Sequence, residues 1–206
     1  MTFAEFKRIL ASDLFRYGGE AGVVRGIKVY RSEPGFKYTF WWRLGEYFHA
    51  SRYCRYWLYP LVKVVHSRLS FYLGISIPIG TKIGKGLYIG HYGGIVISGK
   101  VTIGKYCNLS QGVTVGQTNR GRFAGVPVIG DCVYMGPGST IVGGIKVGDR
   151  VLVAANSLVT NNIESDSVCI GVPAQVRSMA GSGGYVEFVD DPAVHTSTTT
   201  NMKTCG

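Results

Sequence analysis

Aliphatic residues recur every six positions through the middle of the chain. Ile97, Ile103, Leu109 and Val115 form one run, and Ile129, Met135, Ile141, Val147, Val153 and Val159 form a second. A shorter run, Ile77, Ile83 and Ile89, precedes both. Two positions before each member of the first run stands another apolar residue: Ile95, Val101, Cys107 and Val113. The matching set for the second run (Pro127, Val133, Ser139, Ile145, Val151, Ser157) is looser, with three aliphatic members. A period of six contains the two-residue alternation of a strand and does not fit a helix. The residue after each apolar position in the first run is Ser98, Gly104, Ser110 or Gly116, which suits a turn. Such units bury their apolar face only by stacking on one another. Residues 76–180 are therefore predicted to form a parallel β-helix with a thin aliphatic core.

The phase slips twice. Ile89 to Ile97 is a step of eight, and Val115 to Ile129 is a step of fourteen, read as twelve plus two. Both slips predict residues bulging from the prism, and loops that interrupt a rigid scaffold often carry function. The first bulge contains His91. The second, residues 116–126, is polar and rich in glycine.

The pattern before residue 76 is helical. Phe3, Phe6, Leu10, Leu14 and Phe15 share one helix face, and Gly18-Gly19 closes that segment. Pro34-Gly35 predicts a turn, followed by helices over 37–51 and 55–73, with Pro60 near the start of the latter. Residues 181–206, with their GSGG and STTT stretches, are expected to be a loosely held tail in which His195 and Cys205 have no function.

Composition adds three constraints. The 206 residues carry a net charge of +10, concentrated in residues 1–75, where 12 Lys and Arg stand against 5 Asp and Glu. That same third holds 18 of the 25 aromatic residues. Such a region fits an anionic lipid, an anionic glycan or nucleic acid by charge, but no nucleic-acid-binding motif is present. Cys54, Cys107, Cys132, Cys169 and Cys205 are odd in number and widely spaced, which predicts reduced thiols in a cytoplasmic protein and no metal site. Glu5, Lys7, Arg8 and Asp13 interrupt any apolar core of a signal peptide, and Lys63, His66 and Arg68 break the most apolar run.

Four stretches resemble the hexapeptide-repeat acyltransferases, and within them the serine O-acetyltransferase-like branch. IGKGLYIGHYGGIVI (83–97) resembles the segment around that family's catalytic histidine, and LSQGVTVGQT (109–118) its QGVTLGGT stretch. Residues 127–159 resemble the coils that hold coenzyme A, and GVPA (171–174) the closing GVPAR. The resemblance covers about half the chain. It implies a mainly β fold, a left-handed parallel β-helix preceded by a small α-helical N-terminal region, and a homotrimer with its site between neighbouring prisms. It also implies His91 as catalytic base. Imidazole titrates near neutrality, so it can take the proton of an attacking hydroxyl and release it again. Backbone N–H groups can stabilise the tetrahedral oxyanion. No acyl-enzyme is required.

Coenzyme A offers a thin arm and several phosphates. The small residues Gly116, Gly136, Gly138, Gly143, Ala154, Ala155 and Gly171, with Pro173, are the candidate lining for the arm. Lys146, Arg150 and Arg177 are the candidate phosphate partners, Arg177 standing in for the family's Arg, which is Gln175 here. Tyr92, Gln111, Asn119 and Arg120, in or beside the two interruptions, are the candidate acceptor contacts. The resemblance also shows departures. The position of the family's orienting Asp holds Ser76, the Asp before the histidine is Gly90, and the second histidine falls at Val126. With these losses the pattern resembles more the O-acetyltransferases of polysaccharide and lipopolysaccharide gene clusters, which implies acetyl-CoA-dependent O-acetylation of a sugar hydroxyl in surface-polysaccharide assembly, with serine O-acetyltransferase as the alternative and a non-catalytic β-helix as a third. For the aromatic, basic segment 36–60, packing on the β-helix, docking at the inner face of the membrane and stacking on sugar rings all remain open.

Overall fold

A computed structural model describes residues 1–191. Five helices come first: α1 (Phe3–Phe15), α2 (Val23–Ser32), α3 (Pro34–Ala50), α4 (Cys54–Trp57) and α5 (Tyr59–Leu73). Thr2 opens α1 with a capping box to Glu5. The expected turn at Pro34-Gly35 is instead the start of α3, where proline's fixed φ and missing N–H fit a first helical turn. The helix α2 was not expected.

Fifteen short strands then build a three-faced prism. The first face stacks β1 (Ile75–Ser76), β4 (Ile95–Ile97), β7 (Thr114–Gly116), β10 (Thr140–Val142) and β13 (Leu158–Val159). The second stacks β2 (Lys82–Ile83), β5 (Thr102–Ile103), β8 (Val128–Ile129) and β11 (Lys146–Val147). The third stacks β3 (Tyr88–Ile89), β6 (Asn108–Leu109), β9 (Tyr134–Met135), β12 (Leu152–Val153) and β14 (Val168–Ile170), and closes with β15 (Gln175–Ser178) antiparallel to β14. Every other pairing between these strands is parallel. The period-six residues and their partners at minus two fill one buried core running the length of the prism.

The register explains the phase slips. Val115 stacks on Ile97 after eighteen residues, three hexads, whereas Ile141 stacks on Val115 after twenty-six. The fourteen-residue step is therefore one six-residue step plus an eight-residue excursion, and no hidden rung of the prism lies within it. Ile95 stacks on Ile75 after twenty residues, so the His91 turn carries two extra. A third irregularity escaped the periodicity: Ile163 bridges to Val147 only four residues after Val159.

A parallel β-helix leaves its first coil with an unpaired edge. Here side chains of the helical region complete it. The Tyr38 hydroxyl accepts from the Ile77 N–H (3.0 Å) and donates to the Ile77 carbonyl (3.2 Å). Tyr17 does the same at Ile89 (3.3 and 3.1 Å). Arg43 donates to the carbonyls of Ile83 (3.0 Å) and Gly84 (2.6 Å), and Asp13 accepts from the Leu87 N–H (2.9 Å). Asp13 and Arg43, both buried, pair at 2.8 Å. Side chains thus stand where another strand would have paired, satisfying backbone groups that burial would otherwise orphan.

Residues 181–191 correct the expectation of a loose tail. Ser182 donates to the Cys132 carbonyl (2.6 Å), and Asp190 accepts from Tyr106 (2.6 Å) and Ser12 (3.0 Å). Val189 is buried against Tyr106 and Cys132, so this stretch straps the third face. His195 and Cys205 lie outside the described residues. Burial pushes the thiol of Cys107 up to about 12 and those of Cys132 and Cys169 to about 11, which leaves them protonated and unreactive.

One consequence of the cap is measurable. His66 of α5 is buried with Nε2 3.0 Å from the Tyr38 hydroxyl, and burial pushes its imidazole down from 6.5 to about 4. The unfolded chain takes up this proton first, so the contribution to stability is whole above pH 6.5 and lost as the pH falls toward 4. Urea unfolding is expected to show roughly 2 kcal/mol less stability at about pH 4.5 than at pH 7 from this group. His66→Gln, which keeps a partner for Tyr38, should remove that component of the pH dependence.

Candidate active site

The corner between the third and first faces is built by a column of close backbone turns. The Gly112 N–H donates to the Gly93 carbonyl (2.8 Å), Gly138 to Gln111 (2.9 Å) and Asn156 to Pro137 (2.8 Å). Gly74, Gly94, Gly112, Gly138 and Asn156 occupy the same left-handed conformation, at φ between 55° and 73°. The two extra residues of the His91 turn push out from this column, and the His91 side chain is exposed there.

Several contacts fix that turn from behind. Tyr17 clamps Ile89, two residues upstream, by both backbone groups. Gly35 of α3 lies so close that a Cβ would sit 2.0 Å from the Ile89 carbonyl oxygen. The end of α5 abuts the other side, where the Gly74 carbonyl accepts from the Ile95 N–H (3.0 Å). These positioning residues lie outside any period-six run. In the sequence the Gly18-Gly19 break stands beside Tyr17, and the Pro34-Gly35 pair singles out Gly35 as a turn residue.

The departures at Ser76, Gly90 and Val126 have structural counterparts. A Cβ at Gly90 would meet the Tyr88 ring at 2.9 Å, and that ring is itself held by Tyr17 (4.8 Å) and Arg16 (5.7 Å). An aspartate directly before His91 would therefore have to displace Tyr88. Val126 packs against the prism core, and Ser76 lies exposed on the first face opposite Val96.

The corner gathers some of the predicted site residues and not others. Tyr92 and Gln111 lie exposed beside His91 along the same edge. Gly136, Gly138, Ala154 and Ala155 follow on later coils of that edge, with Gly171 and Pro173 beyond β14 and Arg177 exposed on β15. The need for glycine at 136 is met within the chain, because a Cβ there would lie 2.8 Å from the Val153 carbonyl oxygen.

Gly116, Gly143 and the excursion bearing Asn119 and Arg120 mark a different corner, between the first and second faces. There the Gly144 N–H donates to the Phe123 carbonyl (2.7 Å), folding the excursion over the next coil. Lys146 projects from the second face beyond it. Arg150 belongs to neither corner. It turns between the second and third faces, and its guanidinium is held by Asp166 at 2.6 and 2.8 Å. It therefore lies away from the His91 edge and already has an anionic partner within the chain. Among the described residues no group of three or more His, Cys, Asp or Glu could hold a metal ion.

No protein-family model matches the chain. A serine acetyltransferase of Synechococcus elongatus is 29% identical over 177 residues, covering 85% of this chain and 70% of that protein. One of Staphylococcus aureus is 37% identical over 123 residues, covering 60% of this chain and 58% of the relative, so the chain spans less than two thirds of that protein. In sequence the chain is thus similar to serine acetyltransferases over 60–85% of its length. Solved structures agree on the fold, a left-handed β-helix behind a small helical region. The Neisseria gonorrhoeae serine acetyltransferase in complex with serine aligns with a TM-score of 0.69 at 22% identity, over 85% of this chain and 70% of that one. A serine acetyltransferase in complex with CoA aligns with a TM-score of 0.64 at 24% identity, over 85% and 71%.

The expected sugar acceptor and the place in polysaccharide assembly are overturned by these relatives. They are named for serine, and the Neisseria structure holds serine. From the sequence alone the three departures suggest loss of an amino-acid site. At Gly90 the Tyr88 ring supplies a local packing reason for one of them, independent of the acceptor.

Proposed function

We propose that the chain transfers the acetyl group of acetyl-CoA to the hydroxyl of L-serine, with His91 as general base. The carrying observation is His91 itself, exposed on a two-residue insertion at one corner of a serine acetyltransferase-like prism. The serine hydroxyl loses its proton to the imidazole as its oxygen attacks the thioester carbonyl. The tetrahedral oxyanion collapses, the carbon–sulfur bond breaks, and the CoA sulfur leaves with the proton returned by His91. The buried cysteines take no part.

The donor's pantetheine arm runs along the edge of Gly136, Gly138, Ala154, Ala155, Gly171 and Pro173, and Arg177 meets a phosphate. A homotrimer completes the site by setting the corner of one copy, with His91, Tyr92 and Gln111, against the excursion of the next. Asn119 and Arg120 then reach serine, and Arg120 pairs with its carboxylate. In support of this packing, the first face presents Ser76 and Val96 to solvent. Using acetyl-CoA, the reaction runs in the cytoplasm.

The test is release of free CoA by the purified chain. Saturable turnover dependent on L-serine is expected. Release at the same rate with and without L-serine would sink the reading.

A further inference from the structure

For the aromatic, basic segment 36–60, packing on the β-helix and docking at a membrane are both open from the sequence, and in α3 the structure shows the packing. In α3 the residues Phe36, Tyr38, Trp42 and Arg43 are buried in the cap of the prism. The exposed aromatics follow it. Tyr53, Tyr56 and Trp57 are 83%, 77% and 85% exposed, and Phe71 and Tyr72 are 94% and 84% exposed. On α5, Val62, His66, Leu69 and Leu73 turn inward at helical spacing. Leu61, Val64, Arg68 and Phe71, at steps of three, four and three, line the opposite side. A helix that also shows Leu61, Val64 and Phe71 to water on this second side has an unmet partner.

We propose that α4 and α5 lie on an anionic lipid surface, with Trp57, Leu61, Val64, Phe71 and Tyr72 entering the headgroup boundary. Charge selects this partner. No Asp or Glu stands between Glu46 and Asp131, while ten Lys and Arg do, and Arg52, Arg55, Lys63 and Arg68, in and just before α4 and α5, are exposed. Tryptophan and tyrosine favour the interface, and long cationic side chains reach phosphate from beside an apolar patch. A two-fold pairing of this face with a second copy would oppose like charges with no carboxylate of the patch between them. Among the described residues no helix is long and apolar enough to cross a membrane, so α5 lies along the surface. The end of α5 abuts the His91 turn, which brings the reaction beside the lipid.

The experiment is co-sedimentation of the full chain with vesicles of phosphatidylglycerol and phosphatidylcholine in equal parts, or of phosphatidylcholine alone. Binding to the anionic vesicles only, weakened by salt, is expected. Arg55→Gln, Lys63→Gln and Arg68→Gln together should lower partitioning on the order of a hundredfold. Trp57→Ser with Phe71→Ser should abolish it. Light scattering on the same variants reads the alternative: no vesicle binding, with the serine variant breaking an assembly that the wild type forms, makes the face a contact between copies and overturns the proposal. Equal binding to neutral vesicles also overturns it. Turnover of soluble serine is expected to survive all these substitutions, so this outcome is separate from the acetyl-transfer reading.

Discussion

Replacing His91 by alanine is expected to lower kcat by about 10²–10⁴-fold, the usual contribution of a positioned general base. The side chain is exposed on a turn whose backbone is held by Tyr17, Gly35 and the end of α5, so the melting temperature should not move. Binding of CoA, measured by calorimetry, should also stay unchanged, because the candidate lining for the donor follows on later coils of the edge. A His91→Ala protein that turns over at the wild-type rate would remove His91 from the mechanism. One that has also lost its fold would contradict the account of how the turn is held.

The second large effect is expected at the buried pair in the cap. Arg43→Met leaves the Asp13 carboxylate buried without its cation and strips the donors from the Ile83 and Glu46 contacts and from the Gly84 carbonyl. Breaking such a pair from one side costs about 3–5 kcal/mol. Adding Asp13→Asn removes the stranded charge while keeping an acceptor for the Leu87 N–H, and should recover about 1–3 kcal/mol. Urea unfolding of the wild type, both single variants and the double variant measures the coupling. Additive losses would mean that the pair does not act as a unit. The effect should reach the site, since the same clamp fixes the coil that leads through β3 into the His91 turn.

The prism was legible in the sequence because its core is periodic and local. Each hexad places an aliphatic residue and its partner two positions earlier inward, so Ile97, Ile103, Leu109 and Val115 announce three faces without reference to distant residues. The phase slips located both corner interruptions for the same reason. The helical cap was less legible. Its shape follows from long-range partners: Tyr17 on Ile89, Tyr38 on Ile77 and Arg43 on Ile83, none of which leaves a local signal. Pro34-Gly35 read as a turn because those residues often make one, whereas tertiary packing of Gly35 against Ile89 starts a helix there. Arg150 read as a free cation because its partner, Asp166, lies a coil away. The acceptor was misread for a related reason. Missing site residues suggest a change of substrate, whereas at Gly90 a side chain would have to displace a neighbouring aromatic ring, a constraint that lies in the packing.

The most direct test of acetyl transfer to serine is mass spectrometry of the acceptor after incubation with the chain and acetyl-CoA. O-acetylserine should appear at the same rate as free CoA, and His91→Ala should suppress both together. Free CoA without acetylated serine, or no product from wild-type protein that binds CoA, would contradict the assignment.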